Sequence, residues 1–223
     1  MKIGVIIQAR MGSTRLPGKV LKPIAGKLLI EHVLGRLKGL NNKVLPVIAT
    51  SKLRLNNVIE DYCKGRVDCF RGDELDVLGR YYHCAKQYGF DYVVRLTADN
   101  PFTDIGELDR LIDMHLVGGY DYSHSFNTMP IGVGAEIFTM NALEVSYNKG
   151  LLHNHREHVN EFIHENSHQF HIGELNVPSI KIAPKLRLTV DTNEDYENAC
   201  KLAESVAPEW VSTEIAIAYT SDS

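Results

Sequence analysis

Three positively charged side chains crowd a glycine-containing stretch near the amino terminus, and they give the clearest chemical signal in the sequence. Arg10, Arg15 and Lys19 lie close together, and Gly12 and Gly18 interrupt the same stretch. A glycine lets backbone N–H groups approach a ligand closely because no Cβ stands in the way. Fixed positive charge beside such donors favours an anion with several oxygens. The stretch therefore predicts a binding loop for a polyphosphate.

This loop differs from the two commoner phosphate signatures. A Walker loop has four residues between its first glycine and a Gly-Lys pair that Ser or Thr follows. Here five residues separate Gly12 from Gly18, and Val20 follows the lysine. The Gly-x-Gly-x-x-Gly fingerprint of dinucleotide-binding proteins is also absent from the sequence. The alternative is a surface turn with solvated charges, but the density of hydrogen-bond donors, Ser13 among them, argues against it.

A carboxylate at the end of a later strand predicts a metal site. Asp99 follows the strand predicted over residues 92–97, so it lies at the same sheet edge as the phosphate loop. A carboxylate would repel a triphosphate unless a cation lies between them. Mg²⁺ prefers oxygen ligands and is often shared between carboxylates and phosphates, which makes Asp99 its predicted ligand. Asp104 is instead predicted to cap a helix, because Glu107 follows it at capping-box spacing.

Two further strand ends carry polar residues with open alternatives. Asp191 ends the strand predicted over residues 186–190, and Thr192 begins another capping box with Asp195. From the residues alone, a turn aspartate and a metal ligand are equal alternatives for Asp191. Thr50 ends the second predicted strand and offers a small polar group to the edge of a base. An ordinary strand-to-helix turn is the alternative there.

The elements that position these residues alternate regularly in the first half of the chain. Strands are predicted over residues 2–7, 44–50, 69–70 and 92–97, and helices over 28–40, 55–64, 75–88 and 104–115. This alternation predicts an α/β fold with a mixed, mostly parallel sheet and helices on both faces. Ligands of such sheets lie beyond the carboxyl ends of the strands, where the phosphate loop begins.

The regular alternation of strands and helices ends after residue 118. Shorter strands are predicted over residues 120–124, 135–139, 170–175 and 186–190, and helices over 141–147, 157–165, 192–206 and 213–219. No internal repeat or low-complexity linker interrupts the sequence. We therefore predict one domain over residues 1–223, in which residues 1–118 bind the nucleotide and residues 119–223 bind the second substrate.

Composition excludes several classes of protein. The 223 residues are 44% hydrophobic and 23% charged, as is usual for a globular domain. The net charge of -4 argues against a protein that coats nucleic acid. The four cysteines form no Cys-x-x-Cys pair, and no stretch approaches the roughly 18 apolar residues of a membrane span. These features predict a cytoplasmic protein with neither nucleic acid nor a membrane as its partner.

Histidines are concentrated between residues 153 and 171. His155 and His158 have the spacing to share one face of a helix, which admits a zinc site. Acidic partners do not follow at the spacing of a zinc motif. A solvated or subunit-facing helix is the preferred interpretation.

Residues 10–19, Arg-Met-Gly-Ser-Thr-Arg-Leu-Pro-Gly-Lys, resemble the signature of the cytidylyltransferases that activate acidic sugars. The resemblance is greatest to the spore coat polysaccharide biosynthesis protein F family. It extends more distantly to 3-deoxy-manno-octulosonate and acylneuraminate cytidylyltransferases. Residues 188–195 are similar to the family's Val-Asp-Thr-x-Glu-Asp motif, and the motifs follow one another in the family's order.

The resemblance implies a single-domain, Rossmann-like nucleotide-diphospho-sugar transferase fold. It also implies a reaction in which CMP passes from CTP to an acidic sugar, or to a phosphate or phosphonate acceptor. Pyrophosphate would be released, Mg²⁺ would be the cofactor, and the product would serve cell-surface polysaccharide synthesis. A homodimer is compatible with the same resemblance.

The resemblance also assigns residue roles. The implied catalytic residues are Arg10, Lys19 and Asp99, and the implied metal ligands are Asp99 and Asp191. The implied nucleotide-binding residues are Ala9, Arg10, Gly12, Ser13, Arg15, Lys19, Thr50, Arg71 and Gly72. On the substrate side, Glu136 would accept hydrogen bonds from sugar hydroxyls, with an edge-strand glutamate as the alternative. Arg156 would meet a substrate carboxylate or phosphate, or an adjoining subunit.

Two other functions fit the same fold. A glycosyltransferase would consume a nucleotide sugar, but the Asp-x-Asp metal motif usual in those enzymes is absent from the sequence. A non-catalytic nucleotide-binding protein of a polysaccharide pathway is the second alternative. The presence of Arg10, Lys19, Asp99 and Asp191 together argues against it.

Overall fold

The computed structural model describes residues 1–221 of the chain. Its strands are β1 Ile3–Gln8, β2 Pro23–Ile24, β3 Lys27–Leu28, β4 Val44–Ser51, β5 Asp68–Gly72, β6 Tyr92–Thr97, β7 Tyr122–His124, β8 Glu136–Thr139 and β9 Ile172–Glu174. Its helices are α1 Leu29–Leu37, α2 Asn57–Cys63, α3 Val77–Tyr88, α4 Ile105–Gly118, α5 Met140–Lys149, α6 His153–Glu157, α7 Glu161–Glu165, α8 Asn193–Val206 and α9 Thr213–Ser221.

Within residues 1–221, seven strands form one sheet in the order β5-β4-β1-β6-β8-β7-β9. β1 pairs in parallel with β4 and β6, and β4 pairs in parallel with β5. β8 is antiparallel to both β6 and β7, whereas β9 is parallel to β7. The predicted mixed, mostly parallel sheet is therefore confirmed.

Helices cover both faces of the sheet because successive strand residues point to opposite sides. Val5 and Ile7 pack into a core with α1, α4 and α8. Ile6 packs into a second core with α3, α5 and α7. With both faces buried, the loops at the carboxyl ends of β1, β4 and β6 share one open edge. None of the helices described over residues 1–221 is long and apolar enough to cross a membrane.

The strand predicted over residues 186–190 is wrong. The segment is extended, but among the residues that the structure describes it makes only a single bridge, between Arg187 and Ile131. The chain turns immediately after Ile131, since Gly132 has a φ of 97° and the Val133 N–H donates to the Pro130 carbonyl at 3.2 Å. That turn removes the partner that a longer ladder would need.

Two local features also differ from prediction. Of the helix predicted over residues 157–165, the structure forms Glu161–Glu165 as α7, whereas Glu157 ends α6. The helix does not continue between them because His158 adopts an extended backbone with φ of -112° and ψ of 107°. The β2–β3 hairpin was not predicted. Its turn residues Ala25 and Gly26 both have positive φ, at 45° and 79°, as a tight hairpin turn requires.

Candidate active site

The predicted phosphate loop begins where β1 ends. The Gly18 N–H donates to the Met11 carbonyl at 3.0 Å, which closes the loop, and the Met11 N–H donates to Asn56 Oδ1 at 2.8 Å. Gly18 has a φ of 70°, a conformation that favours glycine. It starts a 3₁₀ turn over Lys19–Leu21 that buries Lys19, which is only 6% exposed.

Four consecutive N–H groups in this loop indicate an anion-binding site. The backbone N–H groups of residues 12–15 donate to no group in the part of the chain that the structure describes. The same four residues line a cavity of about 280 Å³, together with Arg10, Lys19, Thr97, Asp99 and Asp191. Consecutive free N–H groups around a concave surface form an anion-binding site. The geometry suits phosphate oxygens.

The Lys19 ammonium lies between two carboxylates. Its Nζ is 2.5 Å from Asp99 Oδ2 and 2.8 Å from Asp191 Oδ1. Asp99 follows β6 and Asp191 precedes α8, and the Val190 N–H donates to the Asp99 carbonyl at 2.9 Å. One backbone hydrogen bond thus holds the two acidic segments side by side.

Asp191 is kept ionised by its neighbours. Burial alone would raise its pKa, but the hydrogen bond and charge of Lys19, with the charges of Arg15 and Arg187, hold the pKa below its ordinary value. The Arg15 guanidinium is 3.4 Å from Asp191 Oδ2, and Arg187 contacts the same oxygen. Arg187 was not predicted as a site residue, because it lies in a stretch that resembles an ordinary strand.

The remaining loop residues differ in their exposure to the cavity. Arg10 lines it, with Nη1 3.7 Å from Glu74 Oε1 and about half of the side chain exposed. Gly12 and Ser13 also line it. Ala9 is buried in the core and donates its N–H to the Ala49 carbonyl at 3.1 Å. Its side chain therefore supports the loop from beneath.

The structure does not bring Arg71 into this cavity. Its guanidinium donates to the carbonyls of Ser51 at 3.0 Å and Leu53 at 2.9 Å, and pairs with Glu60 at 2.7 Å. A fourth bond reaches Asn57 Oδ1 at 2.8 Å. All three guanidinium nitrogens are used, so the side chain braces β5 against the start of α2.

Several buried polar atoms near the open edge have no partner among residues 1–221. They are Gln8 Oε1, Thr50 Oγ1, Glu74 Oε2, Arg80 Nη1 and Arg95 Nε. Buried polar atoms are normally hydrogen-bonded, so such a group at one sheet edge indicates a polar ligand. Gly72 makes room for Arg80, since a Cβ there would lie 2.8 Å from Arg80 Cγ. Of these residues, only Thr50 was predicted from the sequence.

Glu136 is fully buried at the start of β8. One oxygen pairs with Arg95, and the other accepts a hydrogen bond from the Tyr122 hydroxyl at 2.6 Å. Burial alone would lower the Arg95 pKa, but the Glu136 charge raises it above its ordinary value. Both carboxylate oxygens are thus occupied by protein donors. The expected contact of Glu136 with sugar hydroxyls would have to replace one of them.

Arg156 lies on α6, outside the cavity around Lys19. Its Nη1 is 3.4 Å from Asp76 Oδ2, and its Nη2 donates to the Tyr147 carbonyl at 2.9 Å. These contacts connect the start of α3 with the end of α5. The neighbouring His155 is buried and lies 2.7 Å from Glu165 Oε2. No three His, Cys, Asp or Glu side chains within residues 1–221 form a metal-binding group, so the zinc alternative has no support.

Comparison with known proteins decides the family. The profile described as cytidylyltransferase matches residues 4–215. The chain belongs to the cytidylyltransferase family. It is therefore a CTP-dependent nucleotidyltransferase, as the family resemblance implied.

Two relatives and one more distant structure are similar to this cytidylyltransferase over most of its length. Spore coat polysaccharide biosynthesis protein SpsF of Bacillus subtilis is 37% identical over 199 residues, which cover 86% of this chain and 82% of that protein. A cytidylyltransferase structure from Leptospira borgpetersenii has a TM-score of 0.92 and 34% identity, covering 100% of this chain and 94% of that one. A CMP:2-keto-3-deoxy-manno-octonic acid synthetase complexed with CTP has a TM-score of 0.70 and 17% identity, covering 92% of this chain and 100% of that one. The last similarity shows a shared fold.

Proposed function

We propose that this cytidylyltransferase transfers CMP from CTP to an oxygen of an acidic sugar, or of a phosphate or phosphonate acceptor. The acceptor oxygen attacks the α-phosphorus, the bond from that phosphorus to the bridging oxygen breaks, and pyrophosphate leaves. A proton from a hydroxyl acceptor passes to solvent. The observation that carries this proposal is the Lys19 ammonium between Asp99 and Asp191, beside four free loop N–H groups.

The phosphates would lie against the loop. The N–H groups of residues 12–15 would donate to phosphate oxygens, and Arg10, Arg15 and Lys19 would neutralise the negative charge. Most of the rate enhancement would come from positioning and charge neutralisation, which is the usual pattern of phosphoryl-type transfers.

Asp99 and Asp191 would hold Mg²⁺. They fit such an ion because both carboxylates already contact one cation, the Lys19 ammonium. Two carboxylates alone leave most of an octahedral shell to water and phosphate oxygens, which is how Mg²⁺ usually binds in nucleotide enzymes. When bound, Mg²⁺ would withdraw charge from the phosphates as pyrophosphate leaves.

The unpaired atoms along the sheet edge would contact the rest of the substrates. Thr50 and Arg80 lie towards β4, on the side proposed for the base, with Gly72 leaving room for Arg80. Arg95 and Glu136 lie towards β8, on the side proposed for the acceptor. The similarity to SpsF supports a role in cell-surface polysaccharide synthesis.

Pyrophosphate release tests the proposal directly. The purified protein is incubated with Mg²⁺ and each of CTP, UTP, ATP and GTP, against a panel of acidic sugars and of phosphorylated and phosphonate acceptors. We expect release with CTP and one class of acceptor. Consumption of a nucleotide sugar without pyrophosphate release would support the glycosyltransferase alternative. Sedimentation velocity on the same sample tests the expected homodimer.

A further inference from the structure

One buried cation is used by none of the steps above. Arg36 lies on α1 with 8% of its surface exposed, and within residues 1–221 its guanidinium donates only to backbone carbonyls. The acceptors are Pro101 at 2.7 Å, Thr103 at 3.4 Å and Val211 at 2.7 Å. Burial lowers its pKa to about 10, against the opposing charge of Asp104, so the group stays charged at neutral pH.

Two of these carbonyls belong to the loop that carries Asp99. This loop, residues 98–104, is held at its start by the Ala98 N–H on the Gln8 carbonyl, at 2.9 Å. It is held at its end by the Asp104 N–H on the Val133 carbonyl, also at 2.9 Å. Between these points, Arg36 fixes the backbone just after Asp99.

Burying a guanidinium at this position is unfavourable in free energy. A buried charge loses its hydration, and an apolar side chain of similar volume would pack without that loss. The rings of Trp210 and Phe102 lie 5.3 Å and 5.9 Å from the guanidinium carbon, and these cation–π contacts offset part of that loss. What an apolar residue would not supply is a rigid fork of donors that fixes two carbonyls of one loop.

We propose that Arg36 is a positioning residue for Asp99. By holding the Pro101 and Thr103 carbonyls, it keeps the Asp99 carboxylate where a divalent cation shared with CTP would meet it. Arg36 therefore sets the affinity of the nucleotide complex for that cation without touching it. This inference rests on the proposed role of Asp99 as a metal ligand.

The chain offers a matched control on the same helix. His32 lies one turn before Arg36, is equally buried, and contacts the same indole ring of Trp210 at 5.6 Å. Its Nε2 bonds the Ile24 carbonyl at 2.8 Å, in β2, and not the Asp99 loop. Its loss disturbs the same packing but leaves the loop anchors in place.

The test is a Mn²⁺ titration of the full chain with saturating CTP, in which electron paramagnetic resonance measures the bound Mn²⁺. Arg36→Met is expected to weaken Mn²⁺ binding by about 10–100-fold, the usual effect of removing a residue that orients a metal ligand. Arg36→Lys should recover part of this loss, and His32→Leu should bind Mn²⁺ like the wild type. CTP affinity measured in EDTA should stay the same in all four proteins, because only the metal ligand is displaced.

Several results would overturn the inference. Unchanged Mn²⁺ affinity in folded Arg36→Met would show that the clamp is dispensable, and equal losses in Arg36→Met and His32→Leu would assign the effect to general packing. If the Met variant does not fold, wild-type Mn²⁺ affinity in Arg36→Lys is the contradicting result. Absence of Mn²⁺ binding in the wild type with CTP would instead remove the metal role of Asp99, and with it the proposed function of that residue.

Discussion

The Lys19 ammonium occupies the place that a shared divalent cation would need. Its Nζ contacts both Asp99 and Asp191, so the two carboxylates of the free protein already have a counter-ion. A second cation at that point would be repelled at close range. In the nucleotide complex, the phosphates would attract Lys19 and release the carboxylates. We therefore expect the divalent cation to bind with CTP and not before it.

The first prediction follows for Lys19→Met. Without the ammonium, the two carboxylates repel each other, so the variant should bind Mn²⁺ in the absence of CTP, whereas the wild type should not. Electron paramagnetic resonance of the nucleotide-free proteins measures this difference. Arg15→Met is the control, because Arg15 is 61% exposed and forms an ion pair with Asp191 but, within residues 1–221, none with Asp99. Equal Mn²⁺ binding by wild type and Lys19→Met would contradict the prediction.

A kinetic prediction concerns a second variant of the same residue. Turnover of Lys19→Ala should fall far more than its affinity for the acceptor.

The second prediction separates Arg71, which was predicted from the sequence as a nucleotide ligand, from Arg80, which was not. Arg71→Ala should lower the free energy of unfolding by about 1–3 kcal/mol, because four hydrogen bonds within the protein are lost. Its CTP affinity should change little. Arg80→Ala should instead weaken CTP binding, since Arg80 keeps a buried Nη1 that has no hydrogen-bond partner in residues 1–221. Calorimetric CTP titrations and urea unfolding of both variants give the comparison. A larger loss of CTP affinity in Arg71→Ala would restore it as a nucleotide ligand.

Among single residues, the sequence identifies those whose local context is unusual. Asp99 follows the buried strand β6, Lys19 lies in the loop region after β1, and Asp191 follows an extended segment, so their charge demands an explanation. Arg36 and Arg80 stand within helices, where an arginine normally marks the solvated face. The Arg36 guanidinium is buried against carbonyls of distant segments, which local sequence does not encode. Arg80 donates to the Asp73 and Glu74 carbonyls just before its own helix, but the periodicity of the helix does not show this.

Among the elements, Asp104 joins the beginning of α4 to α9. Its Oδ1 accepts the Glu107 N–H at 3.0 Å as a helix cap, as predicted from the capping box. Its Oδ2 accepts the Thr213 hydroxyl at 2.6 Å and lies 2.9 Å from Lys181 Nζ. Burial would raise the Asp104 pKa, but these partners hold it below its ordinary value.

The third prediction uses two substitutions of Asp104. Asp104→Asn keeps an N-cap but loses the charge facing Lys181, and should cost about 1–3 kcal/mol in urea unfolding at pH 7. Asp104→Ala should cost about 1 kcal/mol more, because the cap is lost too. Because the folded pKa lies below 3.8, this stabilisation is present above about pH 4 and is lost as the pH falls further. Equal stability of wild type and Asp104→Asn at pH 7 would contradict the prediction.

Elements of the first half are easier to predict than those of the second. β1, β4 and β6 are six to eight residues long and mostly buried, so their apolar runs are clear. β7, β8 and β9 have only three or four residues, too few for a period to show. The segment after residue 185 has the composition of a strand, but its pairing is ended by the turn at Gly132 in another part of the chain.

At the scale of the whole molecule, three of the histidines buried within residues 1–221 share one electrostatic property; they are His32, His115 and His124. Burial lowers the pKa of each, and that of His115 to about 4. At pH 4–6.5 the unfolded chain therefore binds more protons than the folded protein. The contribution of these neutral histidines to the free energy of unfolding is fully present above about pH 6.5 and is lost as the pH drops towards 4.

The fourth prediction is that the free energy of unfolding begins to fall at a pH above the range in which carboxylates titrate. For His115 the shift corresponds to roughly 3 kcal/mol at its full extent. Urea midpoints from pH 7.5 to 4.5 should fall with pH in the wild type and fall less in His115→Gln. His153→Gln is the control, because that side chain is 84% exposed. Parallel pH profiles for all three proteins would contradict this account.

The hydrogen bond from the Val190 N–H to the Asp99 carbonyl also suggests a use in protein engineering. It joins the two halves of the acidic pair across a long stretch of chain, and Pro184 and Lys185 lie exposed shortly before Asp191. Severing the chain between these two residues would leave Lys19 and Asp99 on one fragment and Asp191 on the other. Each fragment fused to one of two interacting proteins would make a two-piece reporter, in which pyrophosphate appears only when the fusion partners meet.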